Sequence, residues 1–393
     1  MPLHDPAHAF VPYPDVPVPH AGHGPLCGLS FGVKDLFDVA GYPTGGGNPL
    51  MLAMSGVKIR TAPTVQRLLD AGARFVGKTV TDELAFSMNG NNAHFGAPIN
   101  GAAPDSISGG SSSGSASAVS SRLCDFALGT DTGGSVRAPA SHCGLYGIRP
   151  THGRISLEGA LDLSPSLDTC GFFARDAATF ERVAEVLMAP DATPLPEAVR
   201  LLRPEDVWAL LDAEVNETLS TAVQRVESVL GPARPVHAAL DGFDAMYWHF
   251  RHVQGHEAWG THGAFITRFA PPLGPGVAER FAWSSQVSDA QASAGQAFRE
   301  RFRRHLGELL GTDGVLVMPT MPDIAPLRSD SEASLEDYRN RSIRLLCLAG
   351  LSGFPQLSMP LAQRHGAPLG LSLLGPAGSD RSLVRLARRI AAA

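Results

Sequence analysis

Apolar positions along the chain alternate between two spacings. From Thr64 to Ala71, Val65, Leu68 and Leu69 fall on one face at helical steps, and Gly72 stands where a helix would end. Arg74 to Lys78 reads as the strand that follows. Leu26 to Val33 is a short apolar strand with Lys34 at its end. Asp82 to Met88 predicts a short helix, and Asn89 to Asn92 a polar loop. Ser111 to Ser121 is a helix of small residues, and Phe126 to Leu128 is a buried strand. Gly144 to Ile148, Gly314 to Pro319, Gly353 to Pro360 and Pro368 to Pro376 are further strands. Ser342 to Leu351 and Asp380 to Ala392 read as helices. Helix followed by strand, repeated, predicts an α/β layered architecture.

Residues 177–310 behave differently. Val183, Val186 and Leu187, then Leu210, Leu211, Val215, Leu219 and Val223, recur at three- and four-residue steps, so this part is expected to be mostly helical cover. His249, His252 and His256 share one predicted helix face. Three histidines could hold zinc, but a His-x-Glu-x-x-His pattern is absent, so a partly covered helix face is the preferred reading and no metal is expected.

The stretch from Ser106 to Thr151 is where chemistry concentrates. Ser111 follows Gly109-Gly110 and Ser135 follows Gly133-Gly134, and each precedes a run that can be helical. A helix start leaves backbone N–H groups unpaired and partly positive, which suits an oxyanion. Ser135 is the expected nucleophile, with the N–H groups of Thr132, Gly133 and Gly134 converging on a carbonyl oxygen. Asp131 is a turn residue, and Arg137 is expected in a structural ion pair. A proton acceptor is needed as well. His142 and His152 are near in sequence, but His142 lies two helical turns beyond Ser135 and points elsewhere. Lys34 sits among Phe31, Val33, Leu36 and Phe37, and a lysine in apolar surroundings can be a base.

Charge and cysteine content narrow the field. A net charge of −6 gives no reason to expect nucleic acid as a partner. No apolar run is long enough to span a bilayer. Met1 to Gly24 lacks a basic-then-apolar pattern, so it reads as an extended arm on the surface rather than a secretory signal. Five cysteines without short paired spacing point to reduced thiols and a cytoplasmic protein.

These motifs resemble the amidase signature family of serine hydrolases. Gly109-Gly-Ser-Ser-Ser-Gly-Ser115 is similar to its first motif, Gly129-Thr-Asp-Thr-Gly-Gly-Ser135 to its second, and Lys34 to its catalytic lysine. Two departures, Ser113 where many members have glycine and Gly350-Leu-Ser-Gly where many have Asn-Leu-x-Gly, are similar to the shorter indole-3-acetamide hydrolase-like amidases.

The resemblance implies one amidase domain over 1–393, with a core motif region at 28–176, a variable cover at 177–310 and closing strands and helix at 311–393. It implies an α/β fold with a single large mixed sheet flanked by helices on both faces. It also implies a Ser135–Ser111–Lys34 relay with a cis bond into Ser111, and no cofactor. Phe86, Ser87 and Met88 would line the substrate pocket, equally readable as core packing. The expected substrate is a small primary amide, an arylacetamide in particular. Other readings are a biuret, allophanate or carbamate hydrolase, the glutaminase subunit of a tRNA amidotransferase, and a catalytically silent docking protein. A homodimer is common in such families.

Overall fold

The computed structural model describes residues 4–393. Ten strands form one sheet: β1 (Ser30–Lys34), β2 (Arg74–Thr79), β3 (Phe126–Asp131), β4 (Tyr146–Arg149), β5 (Thr169–Ala174), β6 (Arg200–Pro204), β7 (Arg234–Val236), β8 (Gly314–Pro319), β9 (Gln356–Arg364) and β10 (Ala367–Leu374). Their order across the sheet is β2-β1-β3-β5-β4-β9-β10-β8-β6-β7. The two ends are parallel, β2 with β1 and β3 at one and β8 with β6 and β7 at the other. The middle, from β3 through β10 to β8, is antiparallel.

Every residue of β3, β5, β8 and β10 is buried. A strand with both faces buried must have cover on both sides. Side-chain alternation shows the two layers. Phe126, Leu128 and Phe172 enter the main core, whereas Ala127 and Phe173 pack with Ala116, Val119 and Ala140 on the other face. The helices Ser113–Ser120 and Arg137–His142 supply that second face. The mixed sheet between helical layers matches the expected fold class.

Three local expectations differ from the structure. Residues 177–310 do form long helices, Ala213–Leu230, Phe243–Phe269 and Asp289–Leu310 among them. They also contribute β6 and β7, short strands whose few apolar residues were hidden among Arg and Pro. The helix expected over Asp82 to Met88 is a single 3-10 turn, Glu83–Ala85, because Leu84 and Ala85 take positive φ values of 49° and 58°. The N-terminal arm is more than a surface wrap. Val11 N donates to Lys78 O and Val80 N to Ala9 O, both at 2.9 Å, and Ala9 and Phe10 are buried. All five cysteines are free thiols, and Cys27 alone among them is exposed.

Candidate active site

Lys34 ends β1, and Thr130 lies near the end of β3, its parallel neighbour. Ligand sites in α/β sheets gather at the carboxyl ends of such strands. Lys34 is fully buried. Its Nζ donates to Ser111 Oγ and to Thr130 Oγ1, each at 2.8 Å. Burial drives its ammonium down from 10.5 to about 7, although Asp82, Asp131 and Asp168 pull in the opposite direction. A lysine in that range is substantially neutral at physiological pH and able to accept a proton.

Ser111 follows a cis Gly110–Ser111 bond. Its carbonyl accepts from Asp82 N at 3.0 Å and from Thr81 Oγ1 at 3.1 Å, so the turn is fastened to the segment after β2. Gly110 presses against Asp82. A Cβ there would lie 2.2 Å from Asp82 Oδ2, so a side chain could enter only by displacing the buried Asp82 carboxylate. Ser112 clamps β3 at Thr130, with its Oγ donating to Thr130 O and accepting from Thr130 N. The Gly/Ser run is thus a buried, hydrogen-bonded turn and not a linker. Ser113 reaches back towards Val80 O at 3.5 Å.

Ser135 sits in the turn after β3 and is 5% exposed. Its carbonyl accepts from Ser112 N at 3.3 Å, so the two serine turns are joined directly. Asp131 organises this turn. Its carboxylate accepts from Gly134 N, Val136 N and Arg137 N, and from the Arg137 and Arg149 guanidiniums. Burial alone would raise its pKa, but Arg137 and Arg149 outweigh burial and hold the carboxyl well below the usual range. Arg137 is therefore in the expected ion pair, and Arg149 joins it. Asp168 steadies the next residue, accepting from Thr132 Oγ1 at 2.5 Å.

Of the three amides expected at the oxyanion site, Gly134 N donates to Asp131 Oδ1 at 2.9 Å within the turn. Gly134 has φ of 131°, a conformation that glycine tolerates and that lets the chain turn into Ser135.

A narrow pocket opens beside Ser135 and Gly133. Phe86, Ser87 and Met88 line it together with Phe250, Ile343 and Arg339. Phe86, Met88 and Phe250 are also buried, so wall and core are the same residues here. Nothing in the local sequence around Phe250, Arg339 or Ile343 marked them. They come from the helices Phe243–Phe269 and Glu332–Ser352, far from the motif stretch. Asp82 and Thr130 were also missed as neighbours of Lys34. Their place beside motif residues was the available signal.

The histidines are dispersed. His142 is buried, with Nε2 3.0 Å from Tyr338 Oη, and burial takes it down to about 3. His152 Nε2 lies 3.1 Å from Pro165 O. His249 stacks on Phe298, His252 stacks beside Trp248 and Trp283, and His256 pairs with Asp289. Among the described residues no group of three or more His, Cys, Asp or Glu is placed to hold a metal ion.

Comparison with known proteins adds the family. A family model described as Amidase matches residues 17–384. Amidase 1 of Arabidopsis thaliana is 39% identical over 93% of this chain and 93% of that one. Outer envelope protein 64, chloroplastic, of the same plant is 34% identical over 95% of this chain and 68% of that one. A solved structure described as an amidase is 32% identical and superposes with a TM-score of 0.84, covering 94% of this chain and 85% of that one. Matched along most of its length in sequence and in fold, this chain belongs to the amidase family and is a hydrolase acting on amide C–N bonds.

Proposed function

We propose that the chain releases ammonia from a small primary carboxamide through an acyl-enzyme on Ser135, with Ser111 and Lys34 as its proton relay. The observation that supports this reading most is the 2.8 Å contact between Lys34 Nζ and Ser111 Oγ, in a buried site whose serine turn is bonded to that of Ser135. Neutral Lys34 has a lone pair. Ser135 Oγ attacks the carbonyl carbon, its proton passes to Ser111 Oγ, and the Ser111 proton passes to Lys34 Nζ. Thr132 and Gly133 amides receive the oxyanion, a contribution of about 3 kcal/mol per donor. The C–N bond then breaks, and Ser111 delivers a proton to the departing nitrogen while Lys34 returns its own. Water enters by the same relay and frees the acid.

Phe86, Met88, Phe250 and Ile343 put apolar side chains beside Ser135, which favours an aryl or arylacetic acyl group, indole-3-acetamide being the specific case, in a cleft that must widen to admit it. Residues 1–393 are read as one catalytic unit, because the motif stretch and the closing strands share one sheet. Five free thiols support a reducing, cytoplasmic setting. Among the described residues no helix is long and apolar enough to cross a membrane.

The test is ammonia release from indole-3-acetamide, benzamide, a short aliphatic amide, glutamine and biuret, with Ser135→Ala as the blank. Release from the aryl amides is the expected result. Release from glutamine or biuret alone moves the substrate and keeps the relay. No release above the blank from any of them overturns the proposed substrate class.

A further inference from the structure

One neutral side chain in the cleft beside Ser135 carries a buried acceptor that nothing bonds. Gln254 lines that cleft and is 5% exposed. Among the described residues, its Oε1 is buried without a hydrogen-bond partner. Other polar residues of the same wall are engaged. Ser87 Oγ accepts from Asn89 N at 3.3 Å, and Arg339 Nη1 donates to Glu336 Oε1 at 3.1 Å. Gln254 stands one turn after Phe250 on the helix Phe243–Phe269. Neighbours on that helix are bonded: Tyr247 Oη donates to Asn340 Oδ1 at 2.7 Å, and the Glu257 carboxylate accepts from Ser164 and Ser166. The Gln254 amide also reaches the turn of the nucleophile. A Cβ on Gly133 would lie 3.5 Å from Gln254 Nε2.

A glutamine amide both donates and accepts, and leaving a buried acceptor unpaired destabilises the fold. Leucine or methionine would fill the same space without that penalty. An unpaired acceptor in a cleft walled by Phe86, Met88 and Phe250 suits a ligand that brings one donor on an otherwise apolar ring. Gln254 is neutral, so the donor that fits it is a neutral N–H. A buried ammonium would call for a carboxylate instead.

We propose that Gln254 sets specificity for the acyl group: its Oε1 accepts a hydrogen bond from a ring N–H of an aromatic acyl group whose amide lies at Ser135. The substrate class is then an arylacetamide with a pyrrole-type N–H. Rings of the same shape without that donor leave Oε1 unpaired in the complex and are poor substrates. This deepens the amidase reading and rests on Ser135 as the nucleophile.

Ring isosteres test it: indole-3-acetamide against 1-benzofuran-3-acetamide and 1-benzothiophene-3-acetamide. Ammonia release by the wild-type enzyme should give the indole a kcat/KM about tenfold or more above either of the others. In Gln254→Leu that ratio should fall towards one. In Gln254→Glu, which keeps an acceptor, it should persist in part. Circular dichroism checks that each variant is folded. Should Gln254→Leu fail to fold, Gln254→Asn draws the amide back by one methylene and should show the same loss of preference. A glutamine that only supports the helix would slow all three substrates alike and leave the ratio unchanged, which overturns the proposal. A wild-type ratio near one overturns it too. Calorimetry on Ser135→Ala keeps the two readings apart. Tighter binding of indole-3-acetamide than of its benzofuran analogue, with no turnover by wild type, would sustain the Gln254 contact and defeat the amidase reading. Turnover of other amides without any preference for the indole would do the reverse. Neither binding nor turnover of indole-3-acetamide overturns the proposal.

Discussion

Lys34 Nζ lies 2.8 Å from Ser111 Oγ, although the two residues are 77 positions apart in sequence. The contact exists because β1 and β3 are parallel neighbours and the turn of Ser111 is tied to β3 through Ser112 and Thr130. A flexible Gly/Ser segment could not hold a hydroxyl there. The burial around this contact also lowers the lysine's pKa to about 7, as the proposed relay requires.

The first prediction concerns pH. Lys34 works as a base only when neutral, and burial places its titration near 7. The neutral fraction grows as pH rises through that value, so kcat/KM should rise with pH and level off above it. Below it the loss should be about tenfold per pH unit. A pH–rate profile from 5.5 to 9 checks this. A profile flat through 7 would contradict it.

The second concerns His142. It is buried, held below the physiological range and bonded to Tyr338. His142→Gln should therefore keep its turnover within about threefold of wild type and keep the same pH profile, since proton transfer does not pass through it. Loss of activity comparable to that of Ser135→Ala would restore a histidine base to the mechanism.

The third concerns Asp131. It answers two buried guanidiniums, Arg137 and Arg149. Asp131→Asn leaves both without a counter-charge, and unfolding should cost about 3–5 kcal/mol less than in wild type. Chemical denaturation measures it. An unchanged midpoint would mean that the ion pairs are compensated elsewhere.

The fourth concerns the relay as a unit. Ser111→Ala and Lys34→Ala remove adjoining steps of one proton path, so the double variant should be no slower than the slower single one. Rates that multiply would show two independent roles.

Much of this site was legible because catalysis constrains local sequence. Glycines before Ser111 and Ser135 announce tight backbone packing, and Gly110 against the Asp82 side chain is one instance of it. The continuous apolar run Phe126, Ala127 and Leu128 marked a buried strand, and the structure covers both its faces. The pocket was less legible. Phe250, Arg339 and Ile343 are ordinary helix positions in their own segments, and only the packing of two distant helices beside Ser135 gives them a shared surface. β7 was missed for a similar reason. Its Arg234–Val236 carries no apolar run and becomes a strand by pairing with β6. Gly134 shows a further limit, because sequence marks a flexible amide but not the acceptor it finds.

The most direct test of the account is turnover by folded Lys34→Ala protein at pH 7.5, on whichever amide the wild-type enzyme hydrolyses, with circular dichroism and melting temperature confirming the fold. The relay predicts ammonia release no greater than that of Ser135→Ala. A folded Lys34→Ala enzyme with near-wild-type turnover would contradict it, and the contact between Lys34 and Ser111 would then be structural alone.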